Sequence, residues 1–179
     1  MPDETVARGE TAAERFLLRW RGEANARQVK AVDTYWICTA EHGMNASTFA
    51  ARVVASTGAD CAAAMSAAVG ALSGPLHGGA PARVIPMLDE VARMGDPELY
   101  VRQLLGKGER IMGFGHRVYR AEDPRARLLR RTAAELGSAR FELAEGLERA
   151  ALEELRRRKP DRVLATNVEF WSAVVLDLA

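Results

Sequence analysis

The chain is poor in cysteine, in aromatic residues, in strand-forming stretches and in excess charge of either sign, and each shortage excludes something. Of 179 residues, two are cysteines, Cys38 and Cys61, far apart and in apolar, alanine-rich surroundings. Two such thiols make neither a disulfide framework nor a zinc cluster, so both are expected to be buried free thiols in a reducing cytoplasm. The formal net charge is +1, which gives no basic excess for nucleic acid or for an anionic membrane. The arginine runs, Arg130–Arg131 and Arg156–Arg157–Arg158, lie beside acidic residues on helical patterns and read as solvated faces. No apolar run is long enough to span a bilayer. The opening MPDETVARGETAAERF has neither the apolar core of a signal peptide nor an Arg/Ser-rich leader pattern. A soluble, cytoplasmic chain is expected.

What remains is helix-forming. Ala, Leu, Arg and Glu dominate, and hydrophobic residues at 48% are enough for a real core in a chain this long. An all-α fold is predicted. Amphipathic spacing places helices over 12–21, with Phe16, Leu17 and Trp20 on one side, and over about 26–41, with Val29, Val32, Trp36 and Ile37 inward. Asn45 to Thr48 is a cap signal before a helix carrying Phe49, Val53 and Val54, which Gly58 ends. The next segment, 60–72, is rich in Ala, Ser and Gly. Small residues let helix backbones approach closely, so this helix is expected inside the molecule or at an interface. Further helices follow through Val84–Val91 and Leu99–Leu105, the latter opened by Asp96-Pro97. Asp123-Pro124 opens another, 141–158 is a long charged helix, and Asn167 caps the last, with Phe170, Trp171, Val174 and Val175. Between them, Gly74–Gly79 is a loop, and Ile111–His116 is a short extended segment or tight loop.

Three histidines are the first candidates for chemistry. His77 and His116 stand between glycines and apolar residues in loops, where backbone can approach a ligand closely. His77 also precedes a helix, whose N-terminus disfavours positive charge and suits a neutral imidazole that donates to a developing oxyanion. No HxxxH or HExxH spacing occurs, so no metal is expected. Gly113-Phe114-Gly115 lacks the rest of a dinucleotide fingerprint. With Arg117, Arg120 and Arg125 close behind it, the stretch reads better as an anion-binding region.

Three segments in order, EHGMNASTFAARVVAST, ALSGPLHGGA and GFGHRVYRAEDPRA, resemble the signature segments of citrate synthases and 2-methylcitrate synthases. NVEFWSAVVLD resembles a later segment that in the family usually reads NVD. The resemblance runs from about Glu14 to the end. It implies an all-α, citrate-synthase-like fold with a partial large domain over 1–78 and a small, CoA-side domain over 79–179. It implies an acyltransferase that joins acetyl-CoA to oxaloacetate and releases citrate and free CoA, as a dimer whose domains close over substrates. No metal or separate cofactor is implied, CoA arriving as the substrate thioester. Propionyl-CoA in place of acetyl-CoA, as in 2-methylcitrate synthase, is left open by these motifs.

The implied roles attach to single residues. His77 matches the histidine that hydrogen-bonds the thioester oxygen, and His116 the one that polarises the oxaloacetate carbonyl. His42 matches an oxaloacetate-binding histidine, with Asn45 beside it, and Arg125 an arginine that pairs with an oxaloacetate carboxylate. Arg120 matches a CoA phosphate contact, and Gly113, Phe114 and Gly115 lie where the adenine part sits. Glu169 stands at the position of the catalytic base, normally Asp. The chain departs from the family there, in lacking much of the large domain, and in ending before the family's late arginines. Those gaps predict uncovered apolar helix faces, a homodimer or pairing with another chain of the family, and a second possible role as a non-catalytic subunit.

Overall fold

The computed structural model describes residues 3–41, 43–74, 77–78, 81–115 and 121–179. Among the described residues there are ten α-helices and no strand. They are α1 (Asp3–Ala7), α2 (Ala12–Arg21), α3 (Ala26–Thr39), α4 (Ala46–Ser56), α5 (Cys61–Leu72), α6 (Val84–Met94), α7 (Pro97–Gly106), α8 (Pro124–Glu135), α9 (Phe141–Arg158) and α10 (Val168–Leu176). A 3-10 turn, Pro81–Arg83, leads into α6.

Local chemistry explains most of these starts. Thr11, Asn25, Asn45, Asp60, Asp96, Asp123 and Asn167 each sit in extended backbone and accept a hydrogen bond from an N–H of the first turn. Asn25 and Gln28 cap each other reciprocally, and Pro97 and Pro124 occupy first positions where no N–H is needed.

The main core is built around α10. Phe170 to Val175 are all buried, and α10 packs against α3, α6 and α8. α9 lies across α6 and α7. Trp171 is 1% exposed, and its indole N–H finds a partner in Glu148 of α9 at 2.9 Å. From the N-terminal side α3 joins this same core through Ala31 and Cys38. A smaller cluster of Ala13, Leu17, Val32 and Ala179 holds α2 to α3 and to the last residue.

Several sequence expectations fail on burial. Leu17 and Val32 are inward, but Phe16, Trp20, Trp36 and Ile37 face outward. One narrow seam suffices to join α2 to α3, so the rest of the wide apolar stripe is left over. Its aromatic rings pack against one another instead, Phe16 lying 5.6 Å from Trp20 in a tilted pair and 5.3 Å from Trp36 edge-on, between centroids. Cys38 is buried as expected, whereas Cys61 is exposed at the first position of α5. Of the two placements expected for the small-residue helix α5, inside the molecule or at an interface, the interior of this chain is not the one seen. α5 pairs with α4 in a hairpin, and of the two helices Ala64 is the one buried residue. Phe49, Val53, Met65, Val69 and Leu72 are exposed along it.

Because α10 is the centre of the core, truncating Phe170 and truncating Phe16 should differ sharply. Phe170→Ala is expected to cost about 3–5 kcal/mol of unfolding free energy. Phe16→Ala, on an exposed ring, should stay within roughly 1 kcal/mol. Urea denaturation of both variants followed by circular dichroism checks the contrast.

Candidate functional site

The first group of site residues lies where the starts of α8 and α10 meet. Asp123 caps α8 by accepting from the Arg125 N–H at 3.0 Å. The same carboxylate takes Arg125 Nε at 3.0 Å and Nη2 at 2.8 Å, a two-point clamp on the guanidinium. It also accepts the N–H of Val168, the first residue of α10, at 3.1 Å. Asp123 is 1% exposed. Burial alone pushes its carboxyl up, but the Arg125 hydrogen bonds and charge, with the Val168 N–H, outweigh this and hold it below the usual carboxylate value.

Glu169 follows Val168 in the first turn of α10. Its N–H is bonded to Asn167 Oδ1 at 3.0 Å. Burial pushes its carboxyl above the ordinary value of 4.5, with Arg125's charge and hydrogen bonding from Asn167 opposing. Half-buried Tyr35 of α3 has its phenol raised by burial and by the charge of Glu169. Cys38, one turn along α3, feels both Arg125 and Asp123, with burial the main cause of its raised thiol. Thus α3, α8 and α10 bring Arg125, Glu169 and Tyr35 within electrostatic reach of one another.

The glycine loop is tied to the same helix start. Gly115 N–H donates to Ala165 O at 2.7 Å, Asn167 N–H to Gly113 O at 2.9 Å, and Asn167 Nδ2 to Gly115 O at 2.9 Å. Phe114 bridges Thr166 in antiparallel fashion, and its ring lies 5.2 Å from Phe170 between centroids. Gly113 has φ +86°, and a Cβ there would come within 2.6 Å of Phe170 Cβ. Gly113, Phe114 and Gly115 are therefore at least structural partners of the α10 start.

The second group sits at the base of the α4–α5 hairpin. His77 Nε2 lies 3.0 Å from Ser47 Oγ and 3.3 Å from the Ser47 N–H. Ser47 Oγ in turn lies 2.8 Å from Asn45 Oδ1, which also accepts the Thr48 N–H at 2.9 Å as the cap of α4. With Nε2 accepting from the Ser47 N–H, a neutral ring carries its proton on Nδ1. The single hydroxyl proton of Ser47 serves either Asn45 or His77. His77 and Asn45, 32 residues apart in the sequence, are thus brought together through Ser47.

Three of the candidates, His42, His116 and Arg120, lie outside the described residues. Sequence reasoning overlooked Ser47 and Tyr35, and saw in Asp123 a helix cap alone. Ser47 belongs to the cap signal it noted, so its spacing from Asn45 was visible, but its contact with His77 was not. No group of three or more metal-binding side chains occurs among the described residues, and no helix among them is long and apolar enough to cross a membrane.

The all-α body is the fold found in citrate synthases, and comparison with known proteins shows the family. The model of the citrate synthase C-terminal domain matches residues 3–179. "Putative citrate synthase 2" of Mycobacterium tuberculosis is 62% identical over 179 residues, 100% of this chain and 48% of that protein. Among solved structures, the ternary complex of carboxymethyl coenzyme A and oxaloacetate with citrate synthase from Thermoplasma acidophilum gives a TM-score of 0.82 at 31% identity. That match covers 95% of this chain and 46% of the other. Citryl-CoA lyase from Hydrogenobacter thermophilus gives 0.79 at 28% identity, over 97% of this chain and 67% of the other. The chain belongs to the citrate synthase family. It spans about half the length, 48%, of the mycobacterial relative it matches.

Gly113→Ala should weaken the site more than an ordinary loop change. It meets both an unfavourable φ and the Phe170 side chain. A loss of roughly 1–3 kcal/mol is expected, with α10 loosened at its start. Thermal unfolding and hydrogen exchange at the Asn167 and Val168 amides check it.

Proposed function

We propose that this chain carries the condensing site of a citrate synthase, joining acetyl-CoA to oxaloacetate and releasing citrate and CoA. The observation that carries the reading is Glu169, a half-buried carboxylate with a raised proton affinity, set beside the clamped guanidinium of Arg125. A thioester methyl is a very weak carbon acid, so a base of raised affinity and a donor to the forming enolate oxygen are both needed. Glu169 takes the methyl proton. His77, donating from Nδ1 while Nε2 rests on Ser47, stabilises the enolate oxygen. The enolate carbon then forms a bond to the ketone carbon of oxaloacetate, and the ketone oxygen, polarised by His116, takes a proton. Water cleaves the thioester of the resulting citryl-CoA, freeing CoA. Arg125 pairs with an oxaloacetate carboxylate, with His42 and Asn45 on the same substrate. Arg120 and the Gly113–Gly115 loop bind CoA. Neither a metal nor a separate cofactor is needed for these steps.

Support comes from the Thermoplasma relative, crystallised with a CoA analogue and oxaloacetate. The likeness to citryl-CoA lyase favours one second reading, cleavage of the citryl thioester intermediate. The propionyl-CoA reaction and a non-catalytic subunit are the other outcomes of the test. The exposed apolar face of α4–α5 supports assembly, as a homodimer or with another chain of the family. The domain division at residue 78 is proposed on the same analogy, and a cytoplasmic setting suits the chemistry.

Oxaloacetate-dependent release of CoA from acetyl-CoA and propionyl-CoA is the direct assay. Glu169→Gln should lower kcat by on the order of 10²–10⁴, and His77→Ala by on the order of 10²–10³. Folded, soluble chain that releases no CoA would overturn a self-sufficient synthase. Cleavage of citryl-CoA without condensation would establish the lyase reading instead.

The pH profile gives an independent check. Glu169 must be ionised to act, and its proton affinity is raised. The acid limb of kcat/KM, which reports the free enzyme, should therefore lie above 4.5, the ordinary glutamate value, with activity rising as pH increases through it. Glu169→Asp should keep such a limb, and Glu169→Gln should lose it.

A further inference from the structure

Asp123 does more than cap a helix. A serine or asparagine would satisfy the first turn of α8 equally well. Four hydrogen bonds converge on this carboxylate, from Arg125 N–H, Nε and Nη2 and from Val168 N–H. An ionised carboxylate has about four acceptor positions, so all of its capacity is used. Such a group is costly to bury unless each position is filled, and Asp123 is 1% exposed. Two of the four bonds orient the guanidinium edge-on, and a third holds the residue that immediately precedes Glu169. The carboxylate is thereby a rigid link between the cation on α8 and the carboxylate on α10, elements 44 residues apart in sequence between Arg125 and Glu169.

We infer that Asp123 is a positioning residue, which holds Arg125 and the start of α10 in one register so that substrate anchor and base face the same reacting centre. The inference rests on the roles given above to Arg125 and Glu169. Asp123 touches neither substrate in this scheme. It acts through the guanidinium and through the Val168 N–H. It also balances the charge of Arg125, the main opposing influence on Glu169 after burial. Among the described residues, the charged and titratable neighbours coupled to Glu169 are Arg125 from α8 and Tyr35 from α3, with the Asn167 amide on its own helix start. Releasing Arg125 from Asp123 leaves a less compensated cation beside Glu169 and should lower the proton affinity of the base.

Two substitutions separate the clamp from the cap. Asp123→Ser keeps a side chain able to cap α8 but has no carboxylate for Arg125 or Val168. Asp123→Asn keeps the shape and removes the charge. In both, the carboxyl resonance of Glu169, followed by carbon-13 NMR against pH in the unliganded full chain, is expected to titrate lower than in the unaltered protein. In turnover, both should raise KM for oxaloacetate and lower kcat together, kcat by on the order of a hundredfold, as a shift of about 1 Å would do. KM for the acyl-CoA should hold. An Asp123→Ser protein in which Glu169 titrates as before or higher would overturn the inference, because the cap would then be the whole role. Failure of both variants to fold would overturn it too, since the carboxylate would serve the fold and not the site. The titration needs no turnover, so an inactive parent chain would sink the synthase reading and leave this test standing.

Discussion

A helix that is buried on every side has to be surrounded, and α10 is such a helix over Phe170 to Val175. Phe170 to Val175 are buried without a break, so α3, α6 and α8 are drawn around it and α9 closes over its tryptophan. The position of everything chemical follows. The N-terminus of α10 emerges at the edge of the core, and there the chain carries Asn167, Val168 and Glu169. Gly113 is small because Phe170 is beside it. Glu169 has a raised proton affinity because the helix it begins is buried.

The same burial creates an electrostatic problem that Asp123 and Arg125 solve together. A helix start near a core presents N–H groups without intrahelical partners. Asn167 takes one and Asp123 another. A buried carboxylate then needs its own compensation, which the guanidinium supplies at two points. A structural demand, capping two helices, thus leaves a fixed cation near the Glu169 carboxylate. The proposed chemistry uses what packing already requires.

The α4–α5 hairpin stands apart from this body. Its helices are well capped, and together they hold His77, Ser47 and Asn45 in mutual contact. Its outer face, however, is exposed apolar surface. Among the described residues nothing covers that face. The exposed aromatic cluster of Phe16, Trp20 and Trp36 is of the same kind, its rings packed against one another.

What the sequence determined by itself was everything short-range. Caps, prolines at first positions and apolar spacing act within a few residues, so α2 and α9 were legible to the residue and the other helices from α3 onward to within a few residues. The motifs and their order pointed to the family and, through the resemblance, to Glu169 and Arg125 separately; that the two are neighbours was not legible. Tertiary structure alone decided which apolar faces are covered. Leu17 was distinguishable from Trp20, and Cys38 from Cys61, by partners distant in sequence. It also decided the double duty of Asp123, because a cap signal names the helix that follows and says nothing of an N–H 45 residues away on another helix. Periodicity reports that a face is apolar; which neighbour meets it depends on how all the helices share one buried volume.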